Sequence, residues 1–214
     1  MEQKKYPVIY ADPPWKFAAY SEKGEGRSAV AHYDCMTMKD LFVLPVQEIA
    51  TDNCVLFLWT TDPFLPMGIK LVEAWGFKFK TVAFYWAKLN QRANQNLFSE
   101  EDFFTGLGYW TRANIEPCLL ATRGNPKRIS KKVKRLIIAK RREHSRKPDI
   151  VYKRIEELIE GPYIELFARS SREGWDTWGD QTSLFDRQQA VVTRRFPSDL
   201  KKYPRSIQAS LPSK

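Results

Sequence analysis

"IYADPPWKF", residues 9–17, decides how the rest of the chain is read. An apolar run that ends in an acid, two prolines and a tryptophan is a strand stopping at a stiff turn. On its own that is a structural corner. Its chemistry also suits a clamp for an amino group. The lone pair of an exocyclic amine on adenine or cytosine is delocalised into the ring, so the nitrogen is a weak nucleophile. Two acceptors on its two N–H groups favour a pyramidal nitrogen whose lone pair points at an electrophile. The Asp12 carboxylate is one such acceptor and the Pro13 carbonyl is the other. Proline fixes φ and cannot donate, so Pro13 and Pro14 present their carbonyls rigidly. Trp15 offers a flat face for a base taken out of its stack.

Outward from this corner, apolar runs bounded by turn residues read as strands. They are "PVIYA" (7–11), "CVLFLWTT" (54–61), "KTVAFYWAK" (80–88), "EPCLLATRG" (116–124) and "YIELFAR" (163–169), with "RLIIAK" (135–140) a weaker sixth. Helices are expected over 37–50, capped by Thr37 with Asp40 and interrupted by Pro45; over 62–76, from Asp62 and Pro63 to Gly76; and over 147–161, between Pro148 and Gly161. In the last of these, Ile150, Val151, Ile155, Leu158 and Ile159 share one face. Strand–helix–strand order over 54–88 and 135–169 predicts a layered α/β sheet with crossover helices. Such sheets bind ligands beyond the carboxyl ends of their strands, which is where "DPPW" falls. The expected domain runs over 1–182, followed by a polar tail over 183–214. Segments 17–35 and 89–115 are long, Gly-rich and polar, and read as functional or mobile loops.

The 214 residues are 43% hydrophobic and 14% aromatic, with seven Trp, which is the composition of a packed core rather than a disordered chain. No apolar run approaches the roughly 20 residues of a membrane span. The start of the chain lacks the apolar stretch of a signal peptide, so a cytoplasmic protein without membrane association is expected. Cys35, Cys54 and Cys118 are scattered and odd in number, which suits neither a disulfide framework nor a zinc site. His32 and His144 are the only histidines, so no metal is expected. The formal charge is +10, and residues 123–147 hold twelve Lys and Arg against one Glu. That one segment carries the whole imbalance. It reads as a phosphate-contacting surface, with Lys127, Arg128, Lys131 and Lys132 as candidate substrate contacts. A disordered basic loop is the competing reading.

"DPPW" is followed, in order, by "LFLWTT", "WGF", "WAKLNQ", "EPCLLATRGNP", "SRKPD", "IELFAR" and "WDTWGDQ". This set resembles the MT-A70 family of S-adenosylmethionine-dependent N6-adenine methyltransferases over residues 7–181. The resemblance implies a single-domain, Rossmann-like α/β methyltransferase fold with a mostly parallel sheet and a permuted motif order. The catalytic motif comes first and the donor-binding residues last, which accommodates the lack of a G-x-G-x-x-G loop. By resemblance, Asp12, Pro13, Pro14 and Trp15 hold the target adenine, with Tyr33 and Trp59 near the base. Asp12, Lys147, Glu165, Arg169 and Gln181 are implied at the donor, S-adenosyl-L-methionine. The chain departs from the family at Asp180, where the family has an Asn that can also donate, and at "SSREGW", where the family has His-Asn. Only six residues precede "PVIYA". A donor-side wall that some relatives build there is then missing, or supplied by another chain in a homodimer or heterodimer.

The expected activity is methylation of adenine N6 in a nucleic acid, with DNA ahead of RNA because no RRM or KH signature is present. Cytosine N4 is a weaker alternative. A non-catalytic partner subunit would be expected to lose Asp-Pro-Pro-Trp, which this chain retains. A plain basic binding module would need no such motif.

Overall fold

The computed structural model of the protein describes residues 4–15, 36–94, 96–142 and 146–179. Within them the apolar runs become strands: β1 (Tyr6–Ala11), β2 (Ala50–Trp59), β3 (Lys78–Leu89), β4 (Ile115–Arg123), β5 (Leu136–Lys140) and β6 (Tyr163–Leu166). A further strand, β7 (Trp175–Trp178), lies in "WDTW", outside the six runs expected as strands. Four residues are too few to display a period.

The strands form one sheet in the order β5-β3-β4-β2-β1-β6-β7. β4 is antiparallel to both neighbours, β2 and β3, and every other pair is parallel. The sheet is therefore mostly parallel, as expected. The 54–88 unit is different from a simple crossover, because β4 is inserted between β2 and β3. β3 and β4 instead form an antiparallel hairpin with a long loop.

The helix expected over 37–50 splits into α1 (Met38–Phe42) and α2 (Val46–Ile49), with Pro45 at the start of the second. Thr37 closes a reciprocal cap with Asp40. The Asp40 N–H donates to Thr37 Oγ1 at 3.2 Å, and the Thr37 N–H donates to Asp40 Oδ2 at 3.1 Å. The second helix opens as a 3₁₀ turn, Asp62–Phe64, with Thr61 rather than Asp62 in the cap position and no side-chain cap bond, and continues as α3 (Leu65–Ala74). The last is α4 (Ile150–Leu158).

Alternation along the strands sends side chains to two cores. Ile9, Leu56, Leu58 and Leu119 pack against Leu41, Val46, Leu71 and Trp75 of the α1–α3 side. Val8, Phe57, Trp59 and Phe84 pack against Val151, Tyr152 and Ile155 of α4. Burial on both faces is why β1 and β2 read as continuous apolar runs rather than alternating ones. The Trp75 indole N–H donates to the Leu41 carbonyl at 2.8 Å, which ties α3 to α1 without leaving a buried donor unmet.

β1 lies between β2 and β6, reached by connections that cover opposite faces of the sheet. This switch point opens a crevice beyond the carboxyl ends of β1 and β6. Because β4 runs the other way, its first residues lie at that same edge. Among the described residues, no helix is long and apolar enough to cross a membrane.

Candidate active site

Asp12 is the first residue beyond β1, and its side chain meets Lys147, which precedes α4. Lys147 Nζ is 2.9 Å from Asp12 Oδ2 and 2.8 Å from Glu116 Oε1. The other oxygen of Glu116 is 2.6 Å from Lys88 Nζ. One strand end, one helix start and the two shoulders of the β3–β4 hairpin thus supply a charge-balanced chain of two carboxylates and two ammoniums. Lys147 Nζ also lies 5.3 Å above the centre of the Trp59 ring. Burial alone would raise the pKa of Glu116, but the two ammoniums outweigh it and pull the carboxyl down to about 2. Burial alone would lower the pKa of Lys147. The carboxylates of Asp12 and Glu116 reverse that and hold the ammonium above its ordinary value.

Glu165, in β6, lines the adjoining space. Its Oε2 accepts from the Tyr152 hydroxyl at 2.9 Å. Burial, with the Asp12 carboxylate adding to it, pushes Glu165 up to about 8 against the opposing pull of the Tyr152 bond and the guanidiniums of Arg172 and Arg169. Tyr152 is itself well above its usual value, because it is buried and faces Glu165. Arg172 covers the other side of the Tyr152 ring at 4.0 Å and pairs with Asp149 at 3.5 Å, while Arg142 holds the second Asp149 oxygen at 2.5 Å. A single concavity lined by Asp12, Arg146, Lys147, Asp149, Tyr152, Glu165, Phe167, Arg169 and Ser170 joins the two halves.

The fold therefore brings Asp12, Lys147, Glu165 and Arg169 into one concavity, and its treatment of the remaining candidates varies. The Pro13 carbonyl already accepts the Trp15 N–H at 2.8 Å, which closes the turn and leaves its second lone pair for a ligand. Pro14 is half-buried. Trp15 does not present the expected open face. It is 4% exposed, stacked on Phe64 at 5.4 Å, with its indole N–H on the Trp59 carbonyl at 3.1 Å. A ring this apolar is stabilised more by the core than by solvent, so it anchors the loop from beneath. Trp59 is likewise fully buried, donates to the Tyr10 hydroxyl at 2.7 Å and forms the floor under Lys147.

Lys127, Arg128, Lys131 and Lys132 are exposed but do not join the site. Their segment packs on the far end of α4, where the Ile129 N–H donates to the Leu158 carbonyl at 2.9 Å and the Ser130 hydroxyl donates to Glu157 Oε1 at 3.5 Å. α4 starts at the concavity and ends at the opposite edge of the sheet, and the charge run travels with its far end. Tyr33, Gln181, Asp180 and the 183–214 tail lie outside the described residues. Glu116, Lys88 and Tyr152 were not singled out from sequence. The available signal was an acid and a lysine bordering otherwise apolar strands.

The MT-A70 family model matches residues 6–181. Type II methyltransferase M.MunI of Mycoplasma sp is 34% identical over 197 residues, covering 84% of this chain and 78% of that protein. The N(6)-adenosine-methyltransferase MT-A70-like protein of Arabidopsis thaliana is 31% identical over 181 residues, covering 82% of this chain and 24% of that protein. The N(6)-adenosine-methyltransferase catalytic subunit METTL3 of Homo sapiens is 29% identical over 208 residues, covering 95% and 32%. The chain thus spans most of the bacterial relative and no more than about a third of the two eukaryotic ones.

Proposed function

This chain belongs to the MT-A70 family, and from that premise we propose that it methylates N6 of adenine in DNA with S-adenosyl-L-methionine as donor. The observation that carries the reading is the buried Asp12–Lys147 pair at the end of β1, opening into the same concavity as Glu165. Lys147 engages Oδ2 of Asp12 and leaves Oδ1 for an amine. With the second lone pair of Pro13, that gives two acceptors for the two N–H groups of N6. As the nitrogen gains its new bond to carbon it becomes cationic. The Asp12 carboxylate stabilises that charge and is placed to take the released proton. The buried surroundings keep water out and strengthen these contacts.

The residues present also fit the donor. Glu165 is buried with one hydrogen bond among the described residues, from Tyr152, which leaves acceptor capacity for a ribose diol. Arg169, Lys147 and Asp12 border the same space and offer complements to a carboxylate, an ammonium and a sulfonium. When bound, the donor supplies a methyl group on a positively charged sulfur. M.MunI, whose length this chain largely spans, supports DNA as the substrate. The adenosine in the names of the eukaryotic relatives favours RNA as the second reading.

Incubation with methyl-labelled donor and DNA or RNA oligonucleotides, followed by digestion to nucleosides, tests both. Label in N6-methyldeoxyadenosine is expected. Label only in N6-methyladenosine from RNA moves the substrate to the second reading. Label at cytosine N4, or none with either polymer, contradicts the proposal.

A further inference from the structure

Lys88 and Glu116, at one end of the buried charge chain, are also the shoulders of the β3–β4 hairpin, so the loop between them rises from the rim of the site. Its stem is a narrowing ladder. The Phe104 N–H donates to the Lys88 carbonyl at 2.7 Å, the Lys88 N–H to Asn114 at 3.0 Å, and the Gly106 N–H to Ala113 at 2.8 Å. Beyond it residues 107–112 form a tight tip. A Cβ at Gly108 would stand 2.1 Å from the Thr111 carbonyl oxygen, so only glycine lets the tip close. At strand spacing of about 3.3 Å per residue, the tip begins about 13 Å from Glu116.

This tip presents its rings to solvent. Tyr109 is 88% exposed, Trp110 is 93% exposed, and Leu107 beside them is 68% exposed. Trp110 also has φ +68°, a left-handed conformation that bulky residues rarely adopt. Trp15 and Trp59, the rings expected from sequence to face the base, are buried in the core. Among the described residues, the most exposed rings are those of the loop tip. Its neighbours are cationic. Arg112 is exposed in the tip, and Arg141 stacks at 3.7 Å over Phe104 in the stem. The loop's acids, Glu100, Glu101 and Asp102, are gathered in a separate 3₁₀ turn capped by Ser99.

Exposed rings with guanidiniums beside them suit the faces of nucleobases. We propose that Tyr109 and Trp110 stack on bases flanking the target adenine and hold the strand open while that base is extruded into the concavity. This rests on the proposed function and adds the contact that positions the polynucleotide.

The test uses the full chain and labelled adenine-containing DNA and RNA oligonucleotides, with binding followed by anisotropy over a range of salt. The double variant Tyr109→Ala/Trp110→Ala is expected to bind about ten- to a hundredfold more weakly. Its salt slope should be unchanged, since stacking releases no counterions. Donor affinity by calorimetry and the melting temperature should also hold. Trp110→Phe should recover most of the binding, and Arg112→Gln should make the salt slope shallower by about one. Unchanged affinity of the double variant for both polymers overturns the proposal. So does a fall from dimer to monomer in sedimentation, which would make the tip a contact with a second copy. The methylation assay is read separately. Methylation without a tip effect removes this inference alone, whereas a tip effect without methylation removes the proposed function and with it the target adenine, leaving the tip as a base-stacking contact only.

Discussion

Glu116 and Glu165 are both 7% exposed, yet burial leaves one near a pKa of about 2 and the other near about 8. The two regions of the site differ in partners rather than in depth. Glu116 has an ammonium on each oxygen, whereas Glu165 has one phenol and a neighbouring carboxylate. The first region is electrostatically complete and rigid, as suits a support for Asp12. The second has one hydrogen bond to Glu165 among the described residues, which suits the proposed contact with a ligand's hydroxyl groups.

The largest expected effect comes from removing the group on which both regions converge. Asp12→Asn should lower turnover by about a thousandfold or more, roughly 4 kcal/mol of barrier. Donor affinity should stay within about tenfold, about 1.4 kcal/mol. Single-turnover kinetics with calorimetry separates the two, and a parallel loss of donor binding would merge the regions that the comparison keeps apart.

Lys147→Met attacks the complete region directly. It strands the buried Asp12 carboxylate and leaves Glu116 with Lys88 alone, and a loss of about 3–5 kcal/mol in denaturant melts is expected. The same variant should raise the pKa of Glu116 and so make it behave more like Glu165. An unaffected melt would show that the ammonium does not govern the difference.

Glu165→Gln sharpens the comparison through pH. Glu165 rises on folding from an ordinary 4.5 to about 8, so between those values the folded chain holds the extra proton. Its contribution is full below about 4.5 and is lost as pH rises through about 8. Melting temperatures of the Gln variant should therefore decline less than those of the wild type over that window. Glu116 carries the opposite sign: its contribution is present above 4.5 and is lost as pH falls toward about 2. Equal pH slopes for wild type and Glu165→Gln would contradict the assignment.

The smallest effect is expected from neutralising Lys127, Arg128, Lys131 and Lys132 together. Their segment packs at the far end of α4, so turnover on short oligonucleotides should hold within about twofold. Any change should appear only in the salt dependence of binding to long ones.

These contrasts also mark what the sequence could disclose. The strands were legible because residues such as Val55, Leu56, Phe57 and Leu58 are apolar on both faces, and a doubly buried strand leaves an unbroken run. Strand direction leaves no such mark. Nothing in "EPCLLATRG" says that β4 is reversed, and only the reversal carries Glu116 to the site edge. Asp12 could be argued from chemistry, while Lys147 and Glu165 emerged through family resemblance, because their relation to Asp12 spans more than a hundred residues. A tryptophan reads the same in sequence whether it lies under a loop or in solvent, so the expected stacking face went to Trp15, which is buried, and not to Trp110, which is exposed. The charge run left its position in the fold unmarked for a related reason. A count along the chain does not say which end of a helix the segment packs against.

The central claim is that Asp12 presents an adenine amine to a methyl donor whose ribose lies on Glu165. A crystal structure of the chain with S-adenosyl-L-homocysteine and an adenine-containing oligonucleotide tests it most directly. The account predicts the ribose hydroxyls on Glu165, N6 within hydrogen-bond reach of Asp12 Oδ1, and N6 about 3–3.5 Å from where a methyl on that sulfur would lie. A sulfur facing away from Asp12, or a ribose seated away from Glu165, would contradict it.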